Sequence, residues 1–330
     1  MTVMVLAEQL DGEVKPITYE LLGKAREVAD TLRVEVLCLL IGYGVEKYVE
    51  ELIYRGADEV ILVDDPELRD VEPVKYSRVL VEVAKKYRPR AILVGATNIG
   101  RSIAARAAAA LGTGLTADCL DVQVDERGDI VQVRPAFTGN IIAYIKTRTR
   151  PAMATLRYRV AKPLPRDTSR KGRVTRLSLE LGGDVGVKVL GKVRDKEVRL
   201  SDADIIVGCG RGFKKPEDLK MAKELAELLG GVVGVSRPLV DEGWMPRDYQ
   251  VGFSGNTVRP KLYIALGISG SPQHLAGMKF SDTIIAVNLD PSAPIFRHAN
   301  YGVVGDIYRV VPKLIEKLRE RLNRDEGGNS

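Results

Sequence analysis

At 330 residues, with 45% apolar and 28% charged side chains, the chain has material for two or three globular domains and too much apolar content for a disordered polymer. Its 50 Lys and Arg stand against 44 Asp and Glu, a net charge of +6, too small an excess at this length to argue for nucleic acid. Three scattered cysteines (Cys38, Cys119, Cys209) and two histidines (His274, His298) argue against a disulfide framework and a His/Cys metal set, and no apolar run reaches the length of a membrane span.

Thr2–Ala7 reads as a buried strand, and the preceding and following residues lack the basic start and apolar run of a secretory signal. A reduced, cytoplasmic protein without membrane insertion is expected. Thr18–Leu32 then carries apolar residues at helical spacing, Glu35–Ile41 reads as strand, Glu46–Arg55 as helix and Glu59–Val63 as strand. Tyr76–Lys86 is helical, Ala91–Val94 a strand, and Ser102–Leu111 an Ala-rich helix. Continuous apolar runs alternating with helices predict a parallel sheet covered on both faces. After Leu120 the runs Val122–Val124, Ile130–Arg134, Ile141–Lys146 and Ala152–Arg157 predict an antiparallel extension.

From Lys162 to Arg199 eleven basic residues meet five acidic ones, so the whole charge excess sits in this segment. It reads as a solvated basic connector, with strand-like alternation at Arg173–Leu181. The chain therefore divides into an amino-terminal α/β domain, 1–195, with the connector at 162–199, and a second domain, 196–330. In the second, Asp204–Val207, Gly231–Val235, Lys261–Leu266 and Thr283–Leu289 are strands and Pro216–Leu229 is a helix. Val303-Val304 precedes a last helix to about Leu322, with Pro312 expected in its first turn or as a kink. The fold class is α/β, two domains each on a mainly parallel sheet flanked by helices, the second doubly wound and Rossmann-like.

Ligands of open parallel sheets bind outside the carboxyl ends of the strands. There the second half places Gly208-Cys209-Gly210-Arg211-Gly212, Ser236-Arg237, Gln250–Thr257, Ser269–His274, Asn288 and Asp306. Glycines let backbone N–H groups approach phosphate oxygens, and a helix following His274 would add a positive dipole end. A phosphate-bearing dinucleotide fits. The loop is not G-x-G-x-x-G, and Ser-Arg rather than an acid ends the second strand, which disfavours NAD(P). A flavin uses what is present: Arg237 and His274 would stabilise reduced states, and the Ser254 hydroxyl could bond the ring nitrogen N5. Two other readings stay open, an NAD(P)-linked oxidoreductase and a nucleotide-binding scaffold subunit. Gly95–Arg101 in the first half could hold a phosphate or could be a turn packing on a partner. No nucleophile–base pair stands out, so no catalytic residue is assigned.

At these strings the chain resembles the alpha subunit of electron transfer flavoproteins. The resemblance is carried by GCGRGFKKPEDLKMAKELAELLGG, by GVSRPLVDEGWMPRDYQVGFSGNTVRPKLYIALGISGSPQHLAGM and by TIIAVNLDPSAPIFRHANYGVVGDIYRVVPKL, and more loosely by AEQLDGEVKPITYELLGKA, RGADEVILVDD and VGATNIGRSIAARAAAALGTGLTADC. It implies a heterodimer with a beta subunit, FAD held noncovalently by the second domain, and no nucleotide in the first. It also implies electron carriage from flavin dehydrogenases or NADH to a quinone oxidoreductase or ferredoxin-type acceptor, by simple shuttling or by bifurcation. The family's flavin contacts fall on Arg211, Ser236, Arg237, Val251, Gly252, Phe253, Ser254, Ser269, Gly270, Ser271, Pro272, Gln273, His274, Asn288, Asp306 and Ile307. By resemblance Arg237 lies over the isoalloxazine, Ser254 faces N5, His274 faces O2, and Asn288 and Asp306 belong to the adenosine end. The chain departs from the family at Phe253, where relatives have Gln, at Ser254, where they have Thr, and at Ser271-Pro272, where Ala-Ile is common.

Overall fold

Thr2–Ala7 forms β1, buried at five of its six residues, because this apolar run has sheet neighbours on both sides and helices over both faces. The computed structural model describes residues 2–136, 141–179 and 203–327, with Val187, Val189 and Leu200. Two units divide the chain, Met1–Lys192 and Val193–Ser330.

In the first unit a short ribbon, β2 (Gln9–Leu10) and β3 (Glu13–Val14), leads into α1 (Pro16–Leu32), β4 (Glu35–Gly42), α2 (Val49–Tyr54) and β5 (Glu59–Asp64). Then follow α3 (Pro73–Tyr87), β6 (Ala91–Gly95), α4 (Asn98–Leu111) and β7 (Leu115–Cys119). After β8 (Asp121–Val124), β9 (Ile130–Ala136) and β10 (Ile141–Lys146) come β11 (Ala152–Leu156) and β12 (Arg173–Arg176). The main sheet has the order β12-β5-β4-β1-β6-β11-β7, and every neighbouring pair in it is parallel. Alternation along β1 splits the core. Val3, Val5 and Ala7 pack with Leu21 and Leu22 of α1, whereas Met4 and Leu6 pack with Val79 and Leu80 of α3 and Ile103 of α4. Each such buried Val or Leu contributes about 1.5–3 kcal/mol relative to exposure.

Two expectations need correction. Ala152–Leu156 does not join the antiparallel set; it pairs parallel with β6 and β7. All five of its residues are buried, the mark of a central parallel strand, and only its position after a hairpin suggested otherwise. Antiparallel pairing is confined to β8, β9 and β10 and the β2–β3 ribbon.

The connector is exposed over most of its described part, 162–179, as expected, but it is not a free crossing there. Its path lies against the first unit, where a Cβ on Gly23 would come within 2.1 Å of the Lys162 carbonyl oxygen. Arg55 Nη1 donates to the Leu164 carbonyl at 3.0 Å. Arg166 pairs with Glu51 at 2.6 Å, Arg170 with Asp58 at 3.2 Å, and Arg173 with Glu35 and Glu59 at 2.7 and 3.0 Å. Arg176 pairs with Glu46, and β12 becomes the outermost strand beside β5. The basic charge of this stretch is thus answered by acids of its own unit. The remainder of the connector, apart from Val187 and Val189, lies outside the described residues.

The second unit runs β13 (Ile205–Cys209), α5 (Leu219–Leu228), β14 (Val232–Val235), α6 (Arg237–Asp241), β15 (Leu262–Leu266), α7 (Pro272–Met278), β16 (Thr283–Asn288), β17 (Tyr301–Val304) and α8 (Ile307–Gly327). Its sheet has the order β14-β13-β15-β16-β17, again wholly parallel. The strand order reverses between β13 and β15, which makes their carboxyl ends the switch point. Val207, Ile264 and Val287 pack with α5 and α8 on one face, and Ile206, Tyr263 and Ala286 pack with Leu275 and Met278 of α7 on the other. Pro312 lies inside α8, where its missing N–H leaves the Tyr308 carbonyl without an intrahelical donor.

Candidate functional site

Backbone hydrogen bonds stitch the strand-end loops of the second unit into one continuous edge. The amide of Ser236, after β14, donates to the Cys209 carbonyl of β13 at 2.9 Å, and Gly210 donates to Leu266 of β15 at 2.9 Å. Gly212 donates to Gly267 at 3.0 Å, Gly267 to Val287 of β16 at 2.9 Å, and Gly305, after β17, to Asn288 at 2.9 Å. At the switch point the approach is too close for side chains. A Cβ on Gly210 would stand 2.4 Å from the Gly267 carbonyl oxygen, and one on Gly212 2.6 Å from the Gly267 Cα. The result is that the loops after β13 and β15 pack backbone to backbone at the switch point.

Around that backbone the sequence candidates take distinct positions. Arg211 is exposed. Ser236 is 8% exposed and occupies the N-cap position of α6, and Arg237 opens that helix behind it. Arg237 projects into solvent and pairs with Asp241, one turn on, at 3.2 Å. The segment from Gln250 to Asn256 forms a tight loop: Val251 donates to Val235, and Gly252 and Asn256 close it through Asn256 and Gln250 carbonyls. Phe253 and Ser254 sit exposed on it. Buried Gln250 donates through Nε2 to the Ser254 hydroxyl at 2.9 Å, which leaves the hydroxyl proton free to be donated outward.

α7 begins at Pro272, so His274 lies in its first turn rather than ahead of it. Ser269, Ser271, Pro272 and Gln273 are exposed and Gly270 is buried, with φ +85° at Gly270. His274 is 5% exposed. Its Nε2 is 3.0 Å from the Tyr263 hydroxyl, and its Nδ1 makes no well-aligned hydrogen bond among the described residues. Burial pushes its pKa down to about 4, against the opposing pull of the Val251 backbone, which stands close enough to the ring to act as a hydrogen-bond partner. The ring is therefore neutral near pH 7, and the cation expected at His274 is absent; it acts as a neutral hydrogen-bonding group. Asn288 Nδ2 donates to the Ile268 carbonyl at 2.8 Å, Asp306 accepts from the Tyr308 amide at 3.0 Å, and Ile307 is buried in the core.

Two residues of this edge escaped the sequence reading. Tyr263 looks like any aromatic in a core strand. Gln250 opens the candidate stretch Gln250–Thr257, but nothing in spacing marks it as the residue that orients Ser254. The other candidate, Gly95–Arg101, has an internal explanation. Thr97 caps α4 by accepting from the Gly100 amide at 2.8 Å, and its hydroxyl donates to the Glu8 carboxylate at 2.8 Å. A Cβ on Gly95 would lie 2.9 Å from that carboxylate. The protein's own anion thus occupies the helix start that a phosphate would seek. All three cysteines are buried free thiols. Among the described residues no group of three or more His, Cys, Asp or Glu could hold a metal ion, and no helix is long and apolar enough to cross a membrane.

Comparison with known families decides between the open readings. Residues 3–181 match the electron transfer flavoprotein domain, and residues 199–279 match the electron transfer flavoprotein FAD-binding domain. The chain belongs to the electron transfer flavoprotein family, as an alpha-type subunit. It is 48% identical to the electron transfer flavoprotein subunit alpha of Thermoanaerobacterium thermosaccharolyticum over 322 residues, 96% of this chain and 98% of that one. It is 44% identical to the lactate dehydrogenase (NAD(+),ferredoxin) subunit LctC of Acetobacterium woodii, over 98% of this chain and 78% of the relative. Protein FixB of Clostridium saccharobutylicum is 43% identical over 98% of each chain.

Electron transfer flavoproteins of this type carry an FAD-binding domain, and the second unit fits a flavin nucleotide on two observations of its own. The strand-end loops gather at the β13–β15 switch point, the edge at which ligands of open parallel sheets bind. A buried imidazole nitrogen, His274 Nδ1, makes no well-aligned hydrogen bond among the described residues, as a group able to turn to a ligand does.

Proposed function

We propose that this chain is the FAD-bearing half of a heterodimer with a beta subunit, and that it carries electrons between flavin dehydrogenases, or NADH, and a quinone oxidoreductase or ferredoxin-type acceptor. The flavin, when bound, supplies the redox chemistry by accepting and releasing electrons. This chain's residues hold and tune it. The amides at Gly210 and Gly212 are already committed to Leu266 and Gly267, so the pyrophosphate is drawn instead to Arg211 and to the first-turn amides of α7, which have no intrahelical acceptors. Arg237 places a positive charge beside the ring, Ser254 offers a hydroxyl proton held in direction by Gln250, and His274 offers a neutral imidazole. Val251, Gly252 and Phe253 line the loop between them, and Ser236 supports the turn that presents Arg237. Asn288 and Asp306 serve the adenosine end, and Ile307 anchors the start of α8 beside them in the core.

The observation that carries this reading is the gathering of the strand-end loops at the β13–β15 switch point, with Arg211 on one side and the loop leading to His274 on the other. Ferredoxin appears in the name of the Acetobacterium relative, which favours a ferredoxin-type acceptor as the second possibility beside a quinone oxidoreductase. Purification of the chain with its partner subunit tests the reading. We expect a yellow complex with flavin absorption bands, from which heat releases FAD without proteolysis. A colourless complex that binds NADH, or one that releases an adenine nucleotide only, would contradict it.

A further inference from the structure

We propose that Tyr263 is a positioning residue that fixes the tautomer of His274, so that the imidazole proton sits on Nδ1 and is offered to the flavin as a hydrogen-bond donor. The inference rests on reading this edge as the flavin site.

Tyr263, in the middle of β15, is fully buried. Its hydroxyl makes one hydrogen bond among the described residues, to His274 Nε2 at 3.0 Å. The two rings meet edge to face, with centroids 6.1 Å apart and planes at 63°. Space for the hydroxyl comes from β13, where a Cβ on Gly208 would stand 2.2 Å from the Tyr263 oxygen. Burial pushes the phenol pKa upward, so the phenol keeps its proton and must place it. Nε2 is the one acceptor the structure gives it.

A neutral imidazole has one nitrogen that donates and one that accepts. If Nε2 accepts from Tyr263, Nδ1 holds the proton. The opposite tautomer would leave two buried groups unmade, the phenol proton and the Nδ1 lone pair, where the assigned one leaves a single unmet donor. That donor has the Val251 backbone beside it but makes no well-aligned hydrogen bond among the described residues, so a flavin carbonyl can take it. The hydrogen bond made by one ring nitrogen thereby sets the role of the other. A donor on Nδ1 suits a ring edge that gains negative charge on reduction; a lone pair there would repel it.

Nitrogen-15 labelling of histidine in the flavin-loaded complex tests this by long-range proton–nitrogen NMR. The chain has two histidines; exposed His298 is assigned by its loss in His298→Gln and serves as the internal reference. We expect His274 Nδ1 in the protonated range and Nε2 in the unprotonated range. In Tyr263→Phe the proton should move towards Nε2, and the flavin potential should fall while flavin stays bound. Protonated Nε2 in the unsubstituted complex, or unchanged nitrogen shifts in Tyr263→Phe, would overturn the assignment. If Tyr263→Phe fails to fold, the unsubstituted spectrum decides by itself. A flavin-free complex would remove the acceptor of the donor, and with it the proposal's role for Nδ1, while the tautomer would still be read separately.

Discussion

Gly252 and Gly277 lie in backbone contact: a Cβ built on Gly277 would stand 2.4 Å from both the nitrogen and the Cα of Gly252. Through this contact α7 is pressed against the loop that carries Phe253 and Ser254, a join reinforced where Phe253 donates to the Gln273 carbonyl at 2.8 Å and Val258 to Gly277 at 2.7 Å. Gly277→Ala therefore forces the loop away from the helix. Overpacking of this kind costs about 1–3 kcal/mol. Denaturant unfolding should show that loss together with weaker FAD retention; stability and retention both equal to the unsubstituted protein would contradict the contact.

Asp58 ties the strap 162–179 to its unit. One carboxylate oxygen takes Arg26 Nη1 at 2.6 Å and the Val36 amide at 2.8 Å, and the other takes Arg170 at 3.2 Å. Arg26 is largely buried, with 16% of its side chain exposed. Removing the acid in Asp58→Ala leaves that guanidinium with Asp30 at 2.8 Å and the Val34 carbonyl, strips the Val36 amide and Arg170 of their acceptor, and should cost about 1–3 kcal/mol. Trypsin is expected to spare Arg170 and Arg173 in the native protein and to cut there in the variant. Rapid cleavage at these sites without the substitution would show that the strap is not held.

His274 makes stability depend on pH. An unfolded histidine binds its proton near pH 6.5, whereas burial holds the folded one to about 4. As pH falls through this window the unfolded chain takes up a proton that the folded chain refuses. The contribution is complete above about pH 6.5 and declines by about 3 kcal/mol by pH 4. Urea unfolding at pH 7 and pH 4.5 should show a larger loss for the unsubstituted chain than for His274→Gln. Equal losses would contradict a buried neutral imidazole.

Arg237 is exposed and shares its charge with Asp241 across 3.2 Å, so its effect on a neighbouring flavin is moderated by solvent and by that acid. Arg237→Ala should lower the two-electron potential by on the order of 30 mV, about 1.4 kcal/mol, and leave the fold intact. Spectroelectrochemistry checks this, and an unchanged potential would remove Arg237 from the tuning role.

Much of this architecture is legible in the residues. The runs TVMVLA, AILV and TIIAVN are apolar on both faces and can only be covered parallel strands, and the polar residues at their ends mark the edge where loops gather. Ala152–Leu156 was assigned to the wrong sheet because periodicity reports burial and not which neighbour a strand takes. Leu115–Cys119 went unnoticed because it alternates like an edge segment; three of its five residues are only half-buried. Within the site, Arg211, Arg237, Ser254 and His274 are visible as chemistry at strand ends. The charge state of His274 is not, since it depends on how deeply the folded chain buries the ring. Gly208, Gly252 and Gly277 read as ordinary turn or strand glycines until the atoms they admit are seen. The pairing of the connector's arginines is likewise hidden, because their acids, Glu46, Glu51, Asp58 and Glu59, are distant in sequence.

The most direct measurement is the FAD stoichiometry of the two-subunit complex after the flavin has been stripped and titrated back, followed by flavin fluorescence. With the unsubstituted chain, one equivalent should bind at this subunit whatever the partner holds. Arg211→Ala combined with His274→Asn should lose that one equivalent while both subunits stay folded and associated. Unchanged stoichiometry and affinity in the double variant would contradict a flavin held by the strand-end loops of the second unit.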